Sequence, residues 1–149
     1  MQQLNFDNGV KAFKINEDGV LRFNPGDPNV YARFLDAADK IQEIENNMAA
    51  KGKELGDNDG VGSLRLLAEA DRQIKETLSW VFGKNNDFDE IMGGVNLMAV
   101  AGNGERVITN LLGALTPVLE KGARKCAEQQ ISDAVNKAQT NRAQRRAKK

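Results

Sequence analysis

The side chains that could do chemistry in this sequence are mostly acidic. Glu43 and Glu45, Asp57 and Asp59, and Asp87 with Asp89 and Glu90 are spaced closely enough to suggest catalytic dyads or a cation site. Asp57-x-Asp59-Gly60 matches the opening of a calcium loop, but such a loop needs a bidentate acid at its twelfth position. Counting from Asp57 puts Ala68 there, and the match fails. Acidic clusters without a ligand pattern usually serve as helix caps and solvated faces, and that is the reading taken here. The chain has no histidine, which removes the commonest general base and the commonest metal ligand. Its single cysteine, Cys126, allows neither an intrachain disulfide nor a thiolate zinc site. Arg124 and Lys125 stand beside it, yet no histidine exists to complete a dyad. A small apolar helix residue is the plainer reading. Gly102-Asn103-Gly104-Glu105-Arg106 precedes a helical pattern and would offer N–H groups to an anion. No Gly-Lys-Ser/Thr follows it, so a helix start and joint is expected instead. The sequence therefore predicts no enzyme, no metal and no cofactor.

Charge is more informative than its total. The 149 residues carry 21 basic and 21 acidic side chains, but residues 1–120 hold 12 basic and 19 acidic ones. Residues 121–149 hold nine basic side chains against Glu128 and Asp133. An acidic body thus carries a basic tail that includes Lys137, Arg142, Arg145, Arg146, Lys148 and Lys149. None of the eight aromatic residues lies among these charges, whereas stacking on single strands needs aromatic groups interleaved with basic ones. The tail can still bind phosphates by charge, and an acidic protein partner would suit it equally. MQQLNFDNGVKAF lacks a basic-then-apolar leader. No apolar run approaches the ~20 residues of a bilayer span, and a location inside the cell is expected.

The elements that position these groups read as mainly α with a small β start. Residues 1–24 form the first unit. LNFDNG, VKAFKI and VLRF, separated by turns at Asp7-Asn8-Gly9 and Asn16-Glu17-Asp18-Gly19, predict a three-stranded antiparallel meander. Residues 25–120 form the acidic helical body. Asp27 before Pro28 predicts an N-cap and a helix to about Leu55, with a seam at Val30, Phe34, Ala37, Ile41, Ile44 and Met48. Ser63 is expected to cap a second helix with a seam at Leu64, Leu67, Ala70, Ile74, Leu78 and Val81, ended by Gly83. A short turn of helix opens at Asp87, and another is expected over Asn96–Val100. A third long helix starts near Glu105, with Val107, Ile108, Leu111, Leu112, Leu115 and Val118 on its apolar face and Pro117 as a kink or split point. Residues 121–149, the basic tail, read as a helix that extends from the body with little to bury and frays in solution. The fold expected is therefore an N-terminal β-meander packed on a helical bundle, with a long basic C-terminal helix.

The segment Ile74–Asn110, IKETLSWVFGKNNDFDEIMGGVNLMAVAGNGERVITN, resembles the tail assembly chaperones of tailed phages and prophages of Gram-positive bacteria. The likeness rests on a helix ending in Phe82-Gly83, an acidic segment from Asp87 to Gly93 with an apolar-Gly ending, and a following helix. The Asn5-Phe6 strand, the Pro25–Pro28 break and the basic end also fit, while the length of the basic tail departs from the family pattern. The resemblance implies a small, mostly helical, non-enzymatic protein of the bacterial host cytoplasm. Such a protein coats the tape-measure protein, brings tail-tube subunits to it and is absent from the finished virion. It also implies that a longer frameshifted form can exist, and Lys148-Lys149 is compatible with slippery codons.

On this reading the partner is held by apolar helix-in-groove contacts. The candidate residues are Trp80, Phe82, Phe88, Ile91, Met92, Leu97 and Met98, which concentrate apolar surface near glycine-rich breaks. The same residues fit equally well as the edge of the core. If they bind a client, Ile91→Asp or Met98→Asp abolishes binding and leaves the fold intact. The opposite charges of body and tail also permit self-association. Two other roles compete: a nucleic-acid-binding or packaging accessory acting through the tail, and a structural tail or neck component.

Overall fold

A computed structural model describes residues 1–147. Lys148 and Lys149, counted above in the basic tail, lie outside the described residues. The element order is β1 (Lys11–Ile15), β2 (Gly19–Phe23), α1 (Pro28–Glu54), α2 (Gly60–Phe82), α3 (Phe88–Ile91) and α4 (Val107–Ala147). The protein is mainly α, with a small antiparallel sheet packed on the helices and a long C-terminal helix.

The sheet has two strands, not the three expected. β1 and β2 pair in the register Lys11↔Phe23 to Ile15↔Gly19, and residues 1–10 form no regular structure. Local hydrogen bonds explain the difference. Asn24 donates Nδ2–H to the carbonyl of Asn8 at 3.1 Å, and its Oδ1 accepts from the Gly26 N–H at 2.9 Å. Asn8 is thereby held ahead of β1 beside the chain that leaves β2. Gly9, at φ +76°, sits against that same Asn24 side chain. The expected turn at residues 7–9 therefore does not fold residues 2–6 back along β1.

The helices follow their seams closely. Asp27 caps α1 by accepting from the Asn29 N–H at 2.9 Å, with Pro28 in the first turn. Val30, Phe34, Ala37, Ile41 and Ile44 are buried, while Met48 is half-buried. α2 begins earlier than expected because Asp59, not Ser63, is its cap. The Asp59 carboxylate accepts from Gly62 N–H at 2.7 Å, and the Ser63 hydroxyl donates to the Asp59 carbonyl at 3.1 Å. Ala70, Ile74, Leu78 and Val81 are buried against α1, whereas Leu64 in the first turn stays exposed. The start of α1 meets the end of α2, since Arg33 Nε donates to the Val81 carbonyl at 3.0 Å. At the other end Gly52 lies beside Leu66, so the pair is antiparallel.

A run of aromatic rings joins the sheet to this pair. Phe13 stacks on Phe23 with centroids 4.8 Å apart, Phe23 meets Phe82 edge-on at 4.8 Å, and Phe82 lies 5.7 Å from Phe88. Such pairs stabilise by ~0.5–1.5 kcal/mol each beyond the area they bury. Asn86 pins the same junction. Its Oδ1 accepts from Arg22 N–H at 3.0 Å, and its Nδ2 donates to the carbonyls of Arg22 at 2.8 Å and Phe82 at 3.0 Å.

Residues 96–100 form a turn, not the short helix expected. Their carbonyls are committed elsewhere: Ile108 N–H donates to Leu97 O and Val107 N–H to Ala99 O, each at 2.9 Å. α4 is continuous through Pro117, with Ile108, Leu111, Leu115 and Leu119 buried. It leaves the body after Cys126, and residues 127–147 are all exposed. At ~1.5 Å per residue this outer half extends roughly 30 Å. The change from body to tail therefore falls within one helix.

Candidate partner-binding surfaces

The seven apolar candidates do not share one surface. Phe82, Phe88, Leu97 and Met98 are 6%, 1%, 0% and 4% exposed, and Ile91 is buried with them. These five form the floor of the hydrophobic core and present nothing to a partner in this conformation. Only Trp80, 49% exposed, and the half-buried Met92 reach the surface. The reason is local. Asp87 caps α3 by accepting from the N–H groups of Asp89 and Glu90, which turns Phe88 and Ile91 inward. Asn96 Oδ1 accepts from Met98 N–H at 2.7 Å, and Leu97 N–H donates to Asp71 Oδ1 at 2.7 Å. Both groups hold Leu97 and Met98 against α2.

Trp80 and Met92 belong to separate places. Lys40 Nζ lies 5.9 Å from the centre of the Trp80 ring, above a shallow polar cleft between α1 and α2. Met92 lines a groove of about 540 Å³ between the sheet and α4. Phe13, Ile15, Val107, Leu111 and Val118 supply its other apolar walls, and Lys14 and Asn16 stand among its lining residues. Its size falls in the range of ligand-binding clefts, ~300–1,000 Å³. The sequence pattern missed this groove because β1 and α4 are about ninety residues apart.

The acidic groups act as caps and as partners of basic side chains. Asp59 and Asp87 cap helices, and Glu45 lies 3.7 Å from Arg106. Asp71 and Asp89 hold Lys75, at 2.9 and 2.7 Å from its Nζ. Burial of Lys75 opposes its charge. The hydrogen bonds to Asp89 and Asp71 outweigh that cost and hold its pKa above the ordinary lysine value. On the open face of α2, hydrogen bonds from Arg72 and Gln73 lower the Glu69 carboxyl to about 2. Among the described residues no three acidic or cysteine side chains come together as a metal site. The glycine segment 102–104 is a tight turn: Ala101 N–H donates to Glu105 O at 2.8 Å, and Gly104 N–H to Ala101 O at 3.0 Å. The first N–H groups of α4 are spent on Ala99 and Leu97, so the anion-binding arrangement considered for this segment does not form.

The basic residues Lys137, Arg142, Arg145 and Arg146 all lie on the exposed half of α4. One face of that half is apolar. Ala127, Ile131, Ala134 and Ala138 follow at spacings of four, three and four, with Val135 beside them, and Arg142 and Arg145 continue the row. Ile131 is 65% exposed and Val135 50% exposed. The signal was visible in the sequence as two β-branched residues four apart in an alanine-rich helix. Residues 1–7 form a second exposed apolar feature, with Leu4 79% and Phe6 81% exposed.

Compared with protein-family models, with curated proteins and with solved structures, the chain shows no significant match in any of the three.

Proposed function

We propose that this protein is a phage tail assembly chaperone. In the host cytoplasm it binds the helical tape-measure protein and recruits tail-tube subunits, acts without catalysis, and is left out of the finished virion. The observation that carries the reading is the outer half of α4. It is a ~30 Å helix that projects from the body with an uncovered apolar row and a basic end. A helix of this kind gains its stability by packing that row on another helix. A long helical client with acidic stretches provides both the apolar surface and the countercharge. The resemblance of Ile74–Asn110 to tail assembly chaperones names the client class. The exposed row on α4 supports a client surface there in preference to the seven residues singled out from the sequence, five of which are buried.

The test is co-expression with a tape-measure protein of a tailed phage, followed by affinity capture. Ile131→Glu with Val135→Glu changes only exposed side chains. The double variant should keep its melting temperature and lose the client. Undiminished capture by that variant, or no capture by the parent chain, overturns the proposal. The exposed Lys137, Arg142, Arg145 and Arg146 also favour a second reading, nucleic-acid binding through the tail. Salt-dependent retention of DNA that disappears on removing residues 137–149 would establish that alternative.

A further inference from the structure

We infer that residues 1–7 of a second copy of this chain add as a third strand to the free edge of β1, seating Leu4 and Phe6 in the groove between β1 and α4. This inference is independent of the client reading, which uses the outer half of α4. It starts from the two edges of the sheet. Arg22 gives both its N–H and its C=O to Asn86, so that residue of β2 points away from β1. Its partner in the register is Ala12. In an antiparallel ladder the two residues of such a pair both turn their backbone groups outward, and the next outward residue is two positions on. Ala12 and Lys14 therefore present N–H and C=O groups at the outer edge of β1. The outer edge of β2 is closed by Asn86, and Ile91 O lies against Gly19. Among the described residues nothing closes the edge of β1.

The arm has the complementary character. Gln3, Asn5 and Asp7 alternate with Leu4 and Phe6, the pattern of a strand with one apolar face. Leu4 and Phe6 are nonetheless exposed, and residues 1–7 make no backbone hydrogen bond to the body. The arm is steered off its own edge, because Asn24 holds Asn8 on the line of β1 and the Gly9 and Val10 N–H groups bond to the side chains of Asp7 and Asn8. Seven extended residues reach roughly 23 Å beyond that clamp. They are free to pair in trans with an edge they do not reach in cis. Strand addition takes affinity from main-chain bonds and specificity from pockets for alternate side chains. The groove beside β1 supplies such a pocket, with Phe13, Ile15, Met92 and Val118 on its walls. The acidic side chain of the arm, Asp7, also meets a strand whose charges, Lys11 and Lys14, are basic.

The test is sedimentation equilibrium of the full chain from roughly 1 μM to 1 mM, the span of weak to moderate association. The parent should associate with rising concentration. Leu4→Asp with Phe6→Asp alters only the exposed arm and should weaken association at least ~100-fold, with an unchanged melting temperature. Lys14→Pro attacks the other partner: it removes an N–H that faces outward, a position where an edge strand tolerates proline, and it should weaken association to a similar degree. A parent that stays monomeric throughout overturns the inference. So does an oligomer whose strength the arm variant leaves unchanged. If Lys14→Pro melts early, the arm variant decides alone. Client capture is read separately on Ile131 and Val135, so the failure of either proposal is distinguishable from that of the other.

Discussion

Replacing Asn86 by alanine should loosen the joint between the sheet and the helices. Asn86 is 5% exposed. Its side chain makes three hydrogen bonds, at 3.0, 2.8 and 3.0 Å, to the Arg22 N–H, the Arg22 C=O and the Phe82 C=O. Alanine removes all three and leaves backbone groups without partners. At ~0.5–1.5 kcal/mol net for each bond, the loss is about 3 kcal/mol. For a chain of this length that corresponds to a fall in Tm of roughly 6–12 °C. The perturbation is local, so a residue-specific probe is the sharper assay. A loss of about 3 kcal/mol is about a hundredfold in exchange at Ile41 and Leu78, because ~1.4 kcal/mol is a factor of ten, and exchange at Arg22 should accelerate by more than that, because its N–H also loses its acceptor. The variant also opens a second sheet edge, which promotes self-association at high concentration. A Tm within ~2 °C of the parent together with unchanged protection at Arg22 would refute the reasoning; on the scaling above it corresponds to less than ~1 kcal/mol.

Ile91→Asp and Met98→Asp each place a carboxylate in the core, so both should unfold the protein or cost at least ~3 kcal/mol in chemical denaturation; a native-like Tm would contradict the burial. Lys75→Met leaves the 15%-exposed Asp71 without its cation and should cost about 1–3 kcal/mol at pH 7, since Asp89, 69% exposed, keeps its water. The Lys75 pKa is raised on folding, so its contribution is complete below the unfolded value of ~10.4 and is lost as pH rises through the higher folded value. Urea midpoints of the parent should therefore decline above pH ~10.5, and Lys75→Met should lack that component. Gly122→Ala and Gly113→Ala change the same helix with opposite signs. A Cβ at Gly122 would collide with the backbone of Pro25, whereas one at Gly113 meets open space. Calorimetry should show Gly122→Ala destabilising by ~1–3 kcal/mol and Gly113→Ala stabilising by up to ~1 kcal/mol.

The sequence by itself determined the helices, because the seam of a helix is a local repeat. Val30 to Ile44 and Ala70 to Val81 are spaced so that one face of each must be covered, and Asp27-Pro28 and Asp87 state where a helix begins. It also determined the division of charge between body and tail, which is a matter of counting. Only the tertiary structure decided which apolar side chains are available to a partner. Phe82, Phe88, Leu97 and Met98 carry the same local pattern as a docking patch, but Phe23 of the hairpin packs on Phe82 beside Phe88, and Asp71 of α2 holds Leu97 inward, contacts between residues well separated in the chain. The third strand shows the converse. Leu4 and Phe6 have a strand's alternation, but whether a strand pairs depends on the direction in which its base is held. That direction is set by one amide, Asn24, sixteen residues from the Asn8 carbonyl it grips. Alternation states that Leu4 and Phe6 need a partner edge; the clamp at Asn8 decides that the edge is not their own.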